Sequence, residues 1–352
     1  MTEFRQAWDL PTNPRPIVII GAGGIVRDAH LPAYRKAGFS VAGIHDLDTA
    51  RAAELASAWG IANRYETLEA ATLHGNGVTY DLAVPPSAIA SVLEKLPHGA
   101  TVLIQKPMGA NLGEAEEIRR ICRERGLVAA LNFQLRFSPM MLAIRNIIDS
   151  GTIGELVDID VHLTINTPWA MFPFLRSMPR VEIAVHSIHY LDLIRSLAGE
   201  PKSVFARSLA DPRVEGFAQT RTSAILDYGS SLRCSLSINH NHGQHRCFQD
   251  SMFRFEGTKG AVALKVGVLL DYPNGEPDEL WLSSNMGDWE RIPLAGGWFP
   301  DAFIGTMSNL QRFAAGEDTK LWTSIDDSIH TMALVEACFV SVETPGVLLP
   351  AV

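Results

Sequence analysis

Lys106 follows the apolar run Thr101–Ile104 and directly precedes Pro107. A lysine held at the end of a buried strand can stabilise a developing alkoxide and help to pass a proton. The proline restricts the backbone after it and permits a cis peptide. An ordinary surface lysine is the rival reading from position alone. A second group lies further along: Glu182, His186, His189 and Asp192. Spacings of four, three and three bring them toward one face of a helix. Histidine titrates near neutrality and suits removal of a hydroxyl proton as hydride leaves. Glu182 could orient His186 or compete with it as the proton acceptor. Glu and two His on one face also have zinc-ligand chemistry. The segment is not H-E-x-x-H and shows no further ligand, so no metal is expected. A structural histidine pair at a domain interface is the other rival.

Two further polar or aromatic groups stand out. Asn239-His240-Asn241-His242, with His245 and Arg246 nearby, follows a β-like segment. Alternation puts His240 and His242 on one face. A polar loop or subunit contact is the favoured reading there, ahead of pocket lining. Trp169 opens an aromatic, proline-containing loop and could line a pocket, although packing is the commoner role of such a residue.

Hydride chemistry needs an acceptor, and residues 16–46, PIVIIGAGGIVRDAHLPAYRKAGFSVAGIHD, supply a place for one. The run 17–20 reads as a buried parallel strand, and a helix to about Ala37 and a strand at 40–44 follow. Gly21, Gly23 and Val26 occupy the three places of a G-x-G-x-x-G/A fingerprint, with Gly24 and Ile25 between them. Gly21 permits the tight turn. Gly23 lets a pyrophosphate approach the backbone, and the helix start offers free N–H groups to its charge. Val26 in the third place implies a wider helix–strand contact. Asp46, twenty residues after Val26, stands where a carboxylate holds a ribose 2′-OH. It favours NAD over NADP, because it repels a 2′-phosphate. Asp48 is a competing candidate. A plain glycine turn is the rival reading, opposed by the register of strand, helix and Asp46.

The elements that position these groups are legible as alternation. Strands at 78–84 and 101–104 and helices at 49–58, 87–96 and 111–125 continue the pattern to a strand at 128–133. This predicts a doubly wound, mostly parallel sheet over residues 1–133. Pro85-Pro86 ends the 78–84 strand in a stiff edge that would lie against the cofactor. Asn111, with Glu114 three residues on, predicts a capping box. From 134 the texture changes. Residues 155–166 alternate, with Val157, Ile159, Val161, Leu163 and Ile165 on one face. A helix over 181–197 and β segments at 203–209, 221–228, 231–239, 252–256 and 261–266 follow. A second domain, 134–352, with a large, mainly antiparallel open sheet is expected. Residues 271–300 read as loops with one strand at 279–282, and helices at 300–315 and 324–342 end the chain.

Composition sets the bounds. The 352 residues suit two domains, and 47% hydrophobic with 20% charged residues describes a globular chain. A net charge of −9 argues against a nucleic-acid partner. Cys122, Cys234, Cys247 and Cys338 form no C-x-x-C pair and are expected to be reduced, mostly buried thiols. The first sixteen residues lack the apolar core of a signal peptide, and no apolar run is long enough for a membrane span. A cytoplasmic location is therefore expected.

Three passages resemble one family, the glucose–fructose oxidoreductase, inositol dehydrogenase and rhizopine-catabolism (Gfo/Idh/MocA) group. GAGGIVRDAHLPAY at 21–34 is similar to its dinucleotide fingerprint. Gln105-Lys106-Pro107 resembles its Glu-Lys-Pro motif. His189-x-x-Asp192-x-x-Arg195-x-x-x-Gly199 resembles its catalytic helix. The resemblance extends over the whole chain, including Arg136 after a strand, Gly257-Thr258-x-Gly260 and 324–341. It implies an N-terminal Rossmann domain and a C-terminal α/β domain whose open sheet mediates dimers or tetramers. The final helices would pack back toward the first domain.

The reaction implied is NAD- or NADP-dependent oxidation of a hydroxyl on a sugar or cyclic polyol. Lys106 would be the motif lysine and His189 the motif histidine, with the substrate hydroxyl between them. Pro85, Pro86 and Gln105 fall on cofactor-side positions; Arg136, Trp169, His186 and His189 are the substrate-binding candidates. Val185 departs from an aspartate usual four residues before the histidine, a role that Glu182 or His186 could take. Gln105 keeps hydrogen bonding but loses the motif's charge. Two alternatives remain: a non-catalytic dinucleotide-binding sensor, and a lyase or glycosidase that uses the cofactor transiently.

Overall fold

Four consecutive β-branched residues, Ile17–Ile20, form β1, and all four are buried. Burial on both faces is the mark of a central parallel strand, which needs no polar alternation. In the computed structural model, which describes residues 4–243, 246–272, 274–344 and 346–350, β1 lies between β2 (Val41–His45) and β4 (Thr79–Leu82). With β3 (Asn63–Arg64), β5 (Thr101–Ile104) and β6 (Val128–Leu131) they make a six-stranded parallel sheet, order β3-β2-β1-β4-β5-β6. The order reverses at β1, the switch point beside which such folds bind nucleotides.

Helices α1 (Leu31–Ala37), α2 (Thr49–Trp59), α3 (Leu68–Thr72), α4 (Ile89–Leu93) and α5 (Leu112–Glu124) connect the strands. Their ends follow local chemistry. Asp48 caps α2 by accepting the Arg51 N–H at 3.1 Å, and Gly60 closes it with φ 68°. Asn111 caps α5 through the Glu114 N–H at 3.0 Å. Glu114 reaches back to the Ala110 N–H at 2.8 Å, one residue before the expected box partner.

Packing divides the chain into two compact units. One comprises residues up to Ala143 together with Ala295–Met332; the other comprises Ile144–Leu294 and residues from Ala333 onward. Two of the three boundaries fall inside α6 (Pro139–Asp149) and the last helix, α9 (Ile325–Glu343), and the third, between Leu294 and Ala295, falls in a loop. In the first unit, α8 (Asp301–Ala314) lies on the core, where its Phe303, Met307 and Leu310 join Ile17, Ile19 and Ile44.

The second unit is built on an eight-stranded sheet, order β14-β13-β12-β11-β7-β10-β9-β8. These strands are β7 (Leu156–Thr164), β8 (Ser203–Leu209), β9 (Arg221–Asp227), β10 (Arg233–Asn239), β11 (Asp250–Gly257), β12 (Gly260–Lys265), β13 (Glu279–Ser284) and β14 (Glu290–Ile292). Every pair is antiparallel except β7 with β10. The N-terminal Rossmann sheet and the mainly antiparallel second sheet are thus as the patterning predicts. The helix α7 (Ile188–Ala198) carries the histidine motif.

Two details of the second unit differ from expectation. Ile159, Val161, Leu163 and Ile165 are buried as predicted, but Val157 is 38% exposed. Glu256 pairs with Asp158 and Gly257 with Leu156, so Val157 is the extra residue of a bulge and turns outward. The tract 271–300 holds a second strand, β14, whose three residues are too few to show alternation. Cys122, Cys234 and Cys338 are buried free thiols, whereas Cys247 is exposed. Among the described residues no helix is long and apolar enough to cross a membrane.

Candidate functional site

The glycine turn after β1 is shaped by two different demands. Gly21 has φ 111°, and a Cβ there would collide with the Ala83 carbonyl oxygen. Only glycine satisfies both conditions. A Cβ on Gly23 would meet nothing within 4 Å, and one on Gly24 only Asp28 Oδ2 at 3.8 Å. Open space therefore stands over the helix start, where the first N–H groups have no intrahelical acceptor. Ile25 packs against the core and Val26 is wholly buried in it. From Val26 to His30 the helix is π-wound, with the Leu31 N–H bonded to the Val26 carbonyl five residues back. The wider turn begins at the position where valine replaces the small third residue of the fingerprint.

Asp46 follows β2 beside this turn. Its Oδ2 accepts the Ala22 N–H at 2.6 Å and its Oδ1 the Asp48 N–H at 2.7 Å. A carboxylate has about four acceptor sites, so capacity for ribose hydroxyls remains. Asp48 is instead occupied in capping α2. The dinucleotide NAD fits this chemistry: open space over Gly23, helix N–H groups behind it and a carboxylate at its flank. Pro85 is exposed and Pro86 half-buried at the carboxyl end of β4.

Lys106 emerges from the carboxyl end of β5, half-buried, and the Lys106–Pro107 peptide is cis. Desolvation pushes its ammonium down to about 8. Gln105 Oε1 accepts the Lys106 N–H at 2.9 Å. Behind it lies a buried polar group that sequence reasoning passed over. His30 Nδ1 is 2.7 Å from Asp81 Oδ2, which also accepts the Tyr34 hydroxyl at 2.8 Å. His30 Nε2 faces Gln105 Nε2 at 3.4 Å and Asn132 Nδ2 at 3.2 Å. Burial, then the neighbouring Asp81 charge, push the Tyr34 phenol well up, so it stays a donor. The signal available in the sequence was Asp81 itself, an acid inside a four-residue buried strand.

In the second unit, residues 182–187 form a π-turn ahead of α7, with the Ile188 N–H bonded to the Ile183 carbonyl. π-winding brings residues five apart into line. Glu182 Oε1 accordingly accepts the Ser187 hydroxyl at 2.7 Å. Its other neighbour is His240 Nε2 at 3.4 Å. His240 Nδ1 lies 2.7 Å from Thr167 Oγ1, and its ring is 4.4 Å from that of His186. Trp169 stands edge-on to His186 at 5.9 Å and tilted to His240 at 5.8 Å. Its indole N–H donates to Asn241 Oδ1 at 2.7 Å. The structure thus gathers Glu182, His186, Trp169, His240 and Asn241 into one cluster. His240 and Asn241 belong to the tract read as a polar loop, and both are buried. His242 bonds the Cys247 carbonyl at 2.8 Å, and His245 lies outside the described residues.

His189 and Asp192 lie on α7, both buried. Val185 packs against the apolar group of Trp169, Leu175, Val181 and Phe217. Arg136 is buried within the first unit, donating to the Trp322 carbonyl at 2.8 Å and pairing with Asp327 at 2.8 Å. Among the described residues no group of three His, Cys, Asp or Glu is placed to hold a metal ion.

A glycine turn, a flanking carboxylate and a switch point at β1 define a dinucleotide-binding oxidoreductase fold. A family model described as "Oxidoreductase family, NAD-binding Rossmann fold" matches residues 15–133, and one described as "GFO/IDH/MocA C-terminal domain" matches residues 141–263. The chain belongs to the Gfo/Idh/MocA family of oxidoreductases. D-apiose dehydrogenase of Rhizobium rhizogenes is 24% identical over 318 residues, 86% of this chain and 88% of that protein. Trans-1,2-dihydrobenzene-1,2-diol dehydrogenase of Bos taurus is 32% identical over 295 residues, 80% and 81% of the two chains. An oxidoreductase from Agrobacterium radiobacter, solved with NAD+, L-tartaric acid and magnesium, shares the fold with TM-score 0.77 at 21% identity. The match covers 94% of this chain and 96% of that one.

Proposed function

We propose that the protein is an NAD-dependent dehydrogenase acting on a CH–OH group of a sugar or cyclic polyol-like substrate. The observation that carries this reading is Lys106, an amine with a depressed pKa at the carboxyl end of β5, on the nucleotide-binding side of the first sheet. NAD, when bound, accepts the hydride. Gly21, Gly23 and Gly24 shape its phosphate site, Ile25 and Val26 support the helix start, and Asp46 holds the ribose and disfavours NADP. Pro85, Pro86 and Gln105 border the cofactor. Lys106 stabilises the alkoxide, and His189 takes the hydroxyl proton. Glu182, His186 and Trp169 shape the substrate side. Two relatives are named for D-apiose and for trans-1,2-dihydrobenzene-1,2-diol, both of which carry hydroxyl groups.

An absorbance screen of cofactor reduction tests this. It runs NAD and NADP in parallel over aldoses, cyclic polyols and those two compounds. Reduction of NAD by one class, lost in Lys106→Ala and lowered in His189→Asn with NAD affinity kept, is the expected result. Unchanged turnover in Lys106→Ala would sink the assigned role. A second reading, a dinucleotide-binding regulator, draws on Val185, whose apolar side chain packs into the Trp169 group. It predicts NAD binding with no reduction by any compound.

A homodimer or homotetramer through the second sheet is part of the proposal. Phe205 and Ile225 sit opposite each other on β8 and β9, 64% and 53% exposed, an apolar pair that a second copy would cover. Light scattering of the wild type and of Phe205→Lys tests it; a monomeric wild type is the contrary outcome.

A further inference from the structure

The direction of the hydrogen bonds behind Lys106 follows from one backbone donor. The Lys106 N–H can only donate, so the Gln105 atom that receives it at 2.9 Å is the carbonyl oxygen. The Gln105 amide group must then point its NH2 at His30 Nε2, 3.4 Å away. A ring nitrogen facing an NH2 donor is the lone-pair nitrogen. The ring proton therefore sits on Nδ1 and is given to Asp81 Oδ2 at 2.7 Å. Asn132 adds a second donor toward Nε2 at 3.2 Å, and the Tyr34 hydroxyl a second donor to Asp81 at 2.8 Å. His30 and Asp81 are both wholly buried, so their bond to each other is shielded from water.

The network is matched to glutamine. A glutamate at 105 would still accept the Lys106 N–H but would present only oxygen to His30 Nε2. The side chain at 105 thus works as a two-ended peg, one end on the Lys106 backbone and the other on a buried ring.

We infer that His30, anchored by Asp81, is a positioning residue that fixes Gln105 and through it Lys106 at the end of β5. The assignment rests on the proposed role of Lys106, but its test does not need a substrate. His30→Gln places a carbonyl oxygen near the former Nε2 and keeps an acceptor for Gln105. His30→Asn places an amide near the former Nδ1 and keeps only the link to Asp81. Competitive acylation of the full chain by acetic anhydride is followed at the Lys106 peptide by mass spectrometry. His30→Gln should label within about twofold of wild type. His30→Asn, with Gln105 released and the amine freer to reach water, should label about tenfold more slowly at neutral pH, the effect of one pKa unit. Thermal melts should run the other way, with His30→Asn the more stable of the two.

Imidazole 15N spectra of the wild type supply an independent arm, expected to show the proton on Nδ1. Wild-type labelling in a folded His30→Asn, equal loss in both variants, or an Nε2–H tautomer would each overturn the inference. If His30→Gln fails to fold, the tautomer decides. A chain whose Lys106→Ala variant retains full turnover would refute the catalytic reading while leaving these results intact.

Discussion

The ring of His240 lies tilted against that of His186, their centroids 4.4 Å apart, while its Nε2 faces the buried carboxylate of Glu182 at 3.4 Å. The half-buried His186 thus leans on a wholly buried polar pair. Removing His240 alone leaves a buried acid with one partner fewer, which costs more than removing both members. His240→Leu should destabilise the fold by about 3 kcal/mol, in the range for a broken buried pair. Glu182→Gln should recover part of that loss in the His240→Leu background. A double-mutant cycle by urea unfolding measures the coupling, expected to exceed about 1 kcal/mol. Additive effects would show that the two side chains do not act together.

Asp46 receives the Ala22 N–H in the glycine turn, and in the proposed NAD complex its charge would also oppose a 2′-phosphate. Asp46→Asn keeps an acceptor for the turn but removes the charge, so it separates the two roles. The NAD-over-NADP preference should narrow by at least about tenfold, or about 1.4 kcal/mol. The melting temperature should barely move. Fluorescence titration with both reduced cofactors reads the ratio; an unchanged ratio would mean that selectivity lies elsewhere.

The two fingerprint glycines should fail in different ways. Gly21→Ala forces a side chain into a left-handed backbone and against the Ala83 carbonyl, so the protein should lose at least about 1–3 kcal/mol. Gly23→Ala points its methyl into open space. It should melt like wild type yet bind NAD at least about tenfold more weakly. Calorimetry with NAD titration distinguishes the pair, and tight NAD binding by Gly23→Ala would remove the phosphate from that opening.

How far these relationships were legible depended on whether a period carried them. Ile17–Ile20, the glycine turn and Asp46 announce themselves because each is local in sequence. The strands of the second sheet are legible from alternation, as at Ile159, Val161 and Leu163. The turn at 182–187 is not, because π- and α-winding share nearly the same apolar pattern over six residues. That winding is why Glu182 meets Ser187, five residues on, when four-residue spacing pointed to His186. His240 and His30 were hidden for another reason: their partners, Glu182 and Asp81, lie 58 and 51 residues away. Only tertiary packing brings such groups together, and for His30 the trace it leaves is Asp81, a buried acid in an apolar strand.

Lys106 carries the sharpest dependence on pH. Its ammonium titrates at about 8 in the folded chain, against about 10.4 in an unfolded one. Between those values the unfolded state binds more protons, so this group's contribution to stability rises with pH across that window. Below about 8 both states are charged, and the cost of burying the ammonium is fully present. Lys106→Met should therefore be more stable than wild type at neutral pH, with the difference shrinking toward about pH 10. In the proposed mechanism catalysis would run in the opposite sense, because the charged form is the one that stabilises an alkoxide. With saturating NAD, oxidation by the wild type should fall as pH rises through about 8. Lys106→Arg stays charged throughout and should lose that falling limb, at reduced turnover. Steady-state profiles of the two proteins decide, and a limb near 8 that survives in Lys106→Arg would assign the titration to another group.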